Sequence, residues 1–325
     1  MNKYLSWFLV IICIGSLTGC SRSYMFMKMK KSPINITSDD YHIFNSRGKK
    51  ADMSDIINAA GFADAVFIGE SHGDPCAHFL ELNILENIYK CYQKDAKENA
   101  SRPIILCMEM FERDVQPVID EYMNDMITEK HFLSASRAWP GYMHNYRPVV
   151  EFAKEKKIPL IGANAPSRYA NMVSRLGRDA LNNLSEHAKN FWLPPLPYKK
   201  SSEKYKEKFK KFWENIPAHS KINNNSQNDK VFENFIDAQS LWDASMAFSI
   251  KKALDKNPTS LVLNINGIFH SSQQLGTPEH LLNYMPKANI LTISIISGQN
   301  LPDFDNQYKE YGDFIIFTNP ELQED

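Results

Sequence analysis

Along the chain, short apolar runs that stop at glycine or a polar residue alternate with longer segments whose apolar positions recur every three or four residues. The first run, Val66-Phe67-Ile68, ends in Gly69-Glu70-Ser71-His72-Gly73. Ala77 to Tyr92 follows with Phe79, Leu80, Leu82, Ile84, Leu85, Ile88 and Tyr89 at helical spacing. Unbroken apolar runs bounded by turn residues mark strands buried on both faces, the habit of parallel sheets. The alternation continues through Pro103–Met108, Ile158–Gly162, Leu261–Ile265, Ile290–Ser294 and Phe314–Phe317, with helical patterns over Val115–Met126 and Val149–Lys156 between them. Strands separated by helices build βαβ units with right-handed crossovers. The predicted class is therefore α/β: a mostly parallel sheet flanked by helices. A small hairpin around Tyr41–Phe44 and a short helix over Met53–Ala60 precede the first run.

Residues 181–255 break the alternation. Leu184–Trp192, Tyr198–Ile216 and Val231–Leu254 are helical patterns with no strand between them, which predicts a helical insertion, a lid or small subdomain. In the second of these, Tyr205, Phe209, Phe212 and Trp213 share a face while six lysines surround it. Such a helix either packs its stripe on the sheet domain or lies on an anionic membrane. Asn223 to Asp229 reads as a polar linker; Phe235, Ala238, Trp242, Met246 and Ser249 then form a stripe facing the core, with Gln239 and Asp243 on neighbouring faces. The sheet domain is expected to comprise 53–180 and 256–325.

The N-terminus changes the picture of where the protein works. Lys3, the apolar run Trp7–Ile14 and the exit Leu17-Thr18-Gly19-Cys20 have the layout of a secretory signal, too short for a stable membrane span. Leu-x-Gly-Cys is similar to a bacterial lipobox, which makes Cys20 a lipidated mature N-terminus and 1–20 a signal peptide; acyl chains would then anchor the protein to a membrane. Residues 21–52 read as a tether and irregular lead-in. Of the remaining cysteines, Cys76, Cys91 and Cys107 do not make a disulfide framework. A formal charge of −1 over 325 residues gives no sign of nucleic-acid binding by bulk electrostatics, and 43% hydrophobic residues suffice for a core.

Open parallel sheets place ligands at the carboxyl ends of their strands. There the first strand delivers Glu70 and His72, the second Glu109, the third Asn164, the fourth Asn264 and His270. Gly69-x-x-His72 and Gly267-x-x-His270 repeat one small pattern about two hundred residues apart. Two imidazoles and two carboxylates at one mouth can bind a metal or perform acid–base chemistry. The irregular segment between Phe132 and Arg147 carries Trp139, Tyr142, His144 and Tyr146, and can lean over the same crevice; aromatics and ligand-type groups there suit a flat cofactor such as haem, whose iron accepts tyrosinate or imidazole. Arg168 and Tyr169 open the helix after the third strand, where an anion would be favoured.

Taken in order, Gly69-Glu-Ser-His-Gly73, Glu109, Ala163-Asn-Ala-Pro166, Gln239-x-x-x-Asp243-x-Ser-Met-Ala247 and Asn266-Gly-x-x-His270 resemble the ChaN haem-binding lipoproteins of bacterial iron uptake. The resemblance spans roughly Asp64 to Ser294. It implies an outer-membrane-associated lipoprotein holding haem between two protomers of a homodimer, with a tyrosine on the iron and an outer-membrane haem receptor as a possible partner. Tyr142, Tyr146 and Tyr169 are the candidate ligands, with His72, His270 and Arg168 as further haem contacts. The same strand-end pattern looks like a wider superfamily of erythromycin-esterase-type hydrolases and TraB/TIKI-type metalloproteases. That likeness implies an alternative: a hydrolase using His72, His270, Glu70 and Glu109, with a divalent metal such as zinc or a histidine as base.

Overall fold

A computed structural model describes residues 35–94, 101–214, 227–298 and 301–322. The proposed signal peptide, Cys20 and most of the polar linker lie outside the described residues. Among the described residues seven strands form one sheet and ten α-helices flank it: the strands are β1 (Tyr41–Asn45), β2 (Ala65–Glu70), β3 (Ile104–Glu112), β4 (Leu160–Asn164), β5 (Leu261–Gly267), β6 (Ile290–Ser297) and β7 (Phe314–Thr318). The helices are α1 (Met53–Ala60), α2 (Pro75–Tyr89), α3 (Gln116–Met123), α4 (Glu129–Ala135), α5 (Tyr142–Asn145), α6 (Arg147–Glu155), α7 (Ser167–Leu176), α8 (Glu203–Glu214), α9 (Gln227–Lys256) and α10 (Thr277–Tyr284).

The strand order is β1-β7-β6-β2-β5-β3-β4. Every pairing is parallel except that of β1, which runs antiparallel to β7 at one edge. The chain is thus the α/β protein that its alternation predicts. The lead-in is less irregular than its composition suggests: Tyr41–Asn45 completes the sheet, and Phe44 bridges back to Lys50. At the other edge, Gln116 of α3 donates from Nε2 to the Leu160 carbonyl (2.9 Å) and accepts from the Gly162 N–H at Oε1 (2.8 Å). One amide side chain satisfies two ladder groups that would otherwise face outward, which blunts a pairing edge.

Both faces of β2 and β5 are buried, as their unbroken apolar runs require. One face packs against α1, α2 and α6 through Ile56, Leu80, Ile84, Val149 and Val150. The other is covered by the C-terminal part of α9, where Met246, Ala247, Ile250 and Leu254 meet Ala65, Phe67, Ile105 and Cys107. The long helix is therefore part of the sheet's own layer rather than a separate lid. Its N-terminal part holds α8: Tyr205 and Phe209 are fully buried and pack with Ile236, Phe232 and Phe269. The aromatic stripe of α8 thus faces protein. Lys208 beside it is half-buried, donating to the carbonyls of Phe269 (2.8 Å) and Ser272 (2.9 Å); desolvation of its ammonium lowers it to about 7. No helix among the described residues is long and apolar enough to cross a membrane.

Candidate functional site at the strand ends

The carboxyl ends of β2 and β5 are adjacent and in register, with Glu70 opposite Gly267. The two Gly-x-x-His patterns therefore open onto the same mouth, because they terminate neighbouring parallel strands. Gly267 makes their approach possible: a Cβ there would lie 2.9 Å from His72 Nε2 and 3.6 Å from Glu109 Oε2. Glu109 reaches this point through a bulge. Five residues of β3 (Met108 to Glu112) run against three of β4 (Gly162 to Asn164), and such a shift re-aims side chains. The Glu109 carboxylate accepts the Gly267 N–H at 2.7 Å, across β5.

Two charged groups result. In the first, Glu70 Oε1 accepts from the Tyr146 hydroxyl (2.8 Å) and lies 2.6 Å from His72 Nδ1, while Oε2 lies 2.9 Å from His78 Nδ1. Burial alone would raise the Glu70 carboxyl, but His78 and His72 outweigh burial and hold it well below the usual range. Burial likewise pulls the His72 imidazole down, and the Glu70 carboxylate overrides it, so His72 titrates above its ordinary value. Its side chain stays 27% exposed, with the Trp139 ring edge-on at 5.0 Å. In the second group, His270 sits between Asp243 Oδ1 (2.8 Å from Nδ1) and Glu109 Oε1 (3.4 Å from Nε2). Burial favours neutral His270, but Glu109 and Asp243 outweigh it and hold the imidazole at about 9. Thr277 donates to the same Asp243 oxygen at 2.9 Å. The arrangement is an Asp–His–Glu ion triad beside a Glu–His pair whose imidazole meets the surface.

Of the residues singled out in the sequence, Glu70, His72, Tyr146, Glu109 and His270 come together here, and Asp243 joins them from α9. Asn264 is buried within β5, donating to Asn266 at 2.8 Å. Asn164 is buried at the end of β4, and its carbonyl oxygen has no hydrogen-bond partner among the described residues. Tyr142 stands apart from the cluster, in the core against Phe111 and Phe132; burial raises its phenol far above the ordinary value.

Tyr169 and Arg168 form a second locus. The Arg168 guanidinium lies 4.5 Å from the Tyr169 ring centroid and 5.2 Å from that of Trp192, and pairs with Asp114 at 2.6 Å. Trp192 stacks on Tyr169 at 6.5 Å, His187 meets Trp192 edge-on at 5.0 Å, and Phe191 lies 4.7 Å from His187 with 60% of its surface exposed. A ledge of four aromatic rings thus runs from the buried Tyr169 to solvent. His187 and Trp192 were not legible as site residues because they sit in a short helical turn with no distinctive spacing. His78 and Glu81, which also flank Glu70, were hidden inside the periodic pattern of α2.

The fold and the strand-end cluster define an α/β protein that gathers histidines and carboxylates at the carboxyl ends of its central parallel strands. A family model described as haem-binding uptake, Tiki superfamily, ChaN matches residues 56–281, and the chain belongs to that family. Among solved structures it is similar to ChaN of Campylobacter jejuni, described as binding haem cofacially: the TM-score is 0.61 over 87% of this chain and 98% of that one, at 16% identity. This supports the shared fold. An erythromycin esterase in its open conformation gives a TM-score of 0.42 at 10% identity over 86% and 83% of the two chains, too distant to bear on function. A curated relative, Protein RETICULATA-RELATED 5, chloroplastic, from Arabidopsis thaliana, is 26% identical over 153 residues, which cover 46% of this chain and only 19% of that protein.

Proposed function

We propose that the protein binds haem as part of bacterial haem and iron uptake, with Tyr169 as the iron ligand. Family membership carries this reading, because the family is described by haem binding. The ledge fits the group. A porphyrin needs apolar, aromatic surface, a ligand for iron and a cation for its propionates. Phe191 and Trp192 offer the first, Tyr169 or the exposed His187 the second, and Arg168, whose side chain is 46% exposed, the third. Haem bound there supplies a ligatable iron centre. The residues' work is to hold it: Arg168 orients the carboxylates, and the rings exclude water from both sides once a second copy stacks against the first. Tyr142 and Tyr146 serve this role less well, one being enclosed in the core and the other donating to Glu70. In this reading Cys20 carries the lipid anchor to the outer membrane, two protomers enclose the haem, and an outer-membrane receptor hands it over.

Haemin titrated into the purified protein tests the reading. A shifted Soret band that saturates, with a doubling of mass in solution, is expected; a spectrum identical to free haemin overturns it. A second reading has one observation in its favour. His72, oriented by Glu70 at 2.6 Å and partly exposed, has the geometry of a general base towards a water or hydroxyl. Turnover of an ester or peptide library that is lost in His72→Ala would support it.

A further inference from the structure

We propose that Glu70, His78 and Glu81 form a binding site for one divalent first-row transition-metal ion, such as Zn²⁺ or Mn²⁺, beneath the strand-end mouth. The ligand-type atoms of these three residues lie within 4.8 Å of one another, and all three are buried. The helix sets up two of them. His78 and Glu81 are three residues apart on α2 and share a face, the i, i+3 spacing by which helices of carboxylate-bridged metal proteins present His and Glu together. The third, Glu70, is the last residue of β2.

The orientation of His78 points to a cation. Its Nε2 lies 3.0 Å from the backbone oxygen of His72, and a carbonyl only accepts, so Nε2 carries a hydrogen. A ring nitrogen tied to a carbonyl in this way leaves the other nitrogen as ligand. Nδ1 then faces Glu70 Oε2 at 2.9 Å and Glu81 Oε2 at 3.3 Å. Lone pairs on one nitrogen and two oxygens converge only when a proton or a metal ion lies between them. One hydrogen on Nδ1 does not satisfy the whole set: Glu70 Oε2 and Glu81 Oε1 are fully buried and have no hydrogen-bond partner among the described residues. Metal bonds of about 2.1 Å give ligand-to-ligand edges of about 3.0 Å in an octahedron and about 3.4 Å in a tetrahedron. The Nδ1 separations of 2.9 and 3.3 Å lie close to those edges. One imidazole with two carboxylates also balances a divalent charge and matches the donor preference of zinc and manganese. On binding, any hydrogen on Nδ1 and any on the Glu81 carboxyl are released to solvent.

The ion would bear on the mouth through Glu70. That carboxylate turns its other oxygen to His72 Nδ1 and the Tyr146 hydroxyl, so fixing Oε2 on a metal fixes the orienting partner of His72. The site is distinct from the aromatic ledge and does not depend on haem.

Because the site is enclosed, it is expected to fill as the chain folds. Protein produced in medium supplemented with zinc or manganese, without added haem, is purified without chelator and its metal content measured by plasma mass spectrometry. The expected result is about one ion per chain, falling at least tenfold in the isosteric variant Glu81→Gln and in His78→Gln, and unchanged in His131→Gln on the exposed surface of α4. X-ray absorption of the loaded wild type adds a readout that needs no variant, expected to show nitrogen and oxygen neighbours and no sulfur. Wild-type protein holding no more metal than Glu81→Gln, or a sulfur neighbour on the ion, overturns the proposal. Either failure leaves the haem reading untouched, since no haem is present in the experiment.

Discussion

The Asp243–His270–Glu109 triad makes a quantitative prediction about stability against pH. His270 is held at about 9 in the folded chain, against about 6.5 for an ordinary imidazole. A folded value raised above the unfolded one means that the folded state binds the proton more tightly. The stabilisation is therefore complete below about pH 6.5 and is lost as pH rises through about 9. The difference corresponds to about 3 kcal/mol. Asp243 behaves in the opposite sense: burial raises it, His270 outweighs burial, and the lowered carboxyl is lost as a stabiliser only when pH falls through its folded value. Between pH 6 and 10, His270 is thus the triad member whose charge changes. Urea unfolding followed by tryptophan fluorescence, on wild type and His270→Gln at both pH values, isolates it. The advantage of wild type over the variant should shrink by about 3 kcal/mol between pH 6 and pH 10. An advantage constant within about 0.5 kcal/mol across that range would show that His270 is neutral and that the triad is not ionic.

Two further substitutions probe how the triad is held. Gly276, at φ +71°, would place a Cβ 2.7 Å from the His270 carbonyl oxygen and 2.9 Å from Asp243 Oδ1. Gly276→Ala should cost about 1–3 kcal/mol in thermal unfolding and flatten the pH response above; an unchanged Tm would mean that the turn relaxes freely. Phe209→Ala should cost about 3–5 kcal/mol in urea unfolding, since the ring is fully buried against Phe232, Phe269 and Trp213. A cost below about 1 kcal/mol would mean that α8 contributes little to the fold.

What the sequence reveals follows from which interactions are local. Strands β2 to β7 are legible because burial on both faces makes each a mainly apolar run between turn residues. Glu70, His72 and His270 are legible because each follows such a run within five residues. The edge strand β1 is half-exposed and short, so it reads as a small local hairpin rather than as a member of the sheet. Glu109 is legible as a residue but not as a bulge, since Glu109-Met-Phe-Glu112 gives no mark that β3 continues past the point where the carboxylate must turn. The role of α9 is legible only in part: its stripe from Phe235 to Ser249 reads as facing the core, but not which partner each part meets. Its thirty residues pack first on α8 and then on the sheet, and no composition change marks the handover. His78 and Glu81 had a signal: two titratable residues on the buried face of an otherwise apolar helix. Buried polar groups demand partners, and those partners come from the end of β2 and the turn after it, outside the helix's own periodic pattern.

The haem reading is tested most directly at the iron itself. Resonance Raman spectra of the haemin complex, recorded for wild type and Tyr169→Phe, report whether a phenolate is bound. The expected result is iron–tyrosinate vibrations in wild type that vanish in the variant, with haemin affinity at least tenfold weaker. Tyrosinate vibrations that persist in Tyr169→Phe, or a wild-type complex without them, would contradict it.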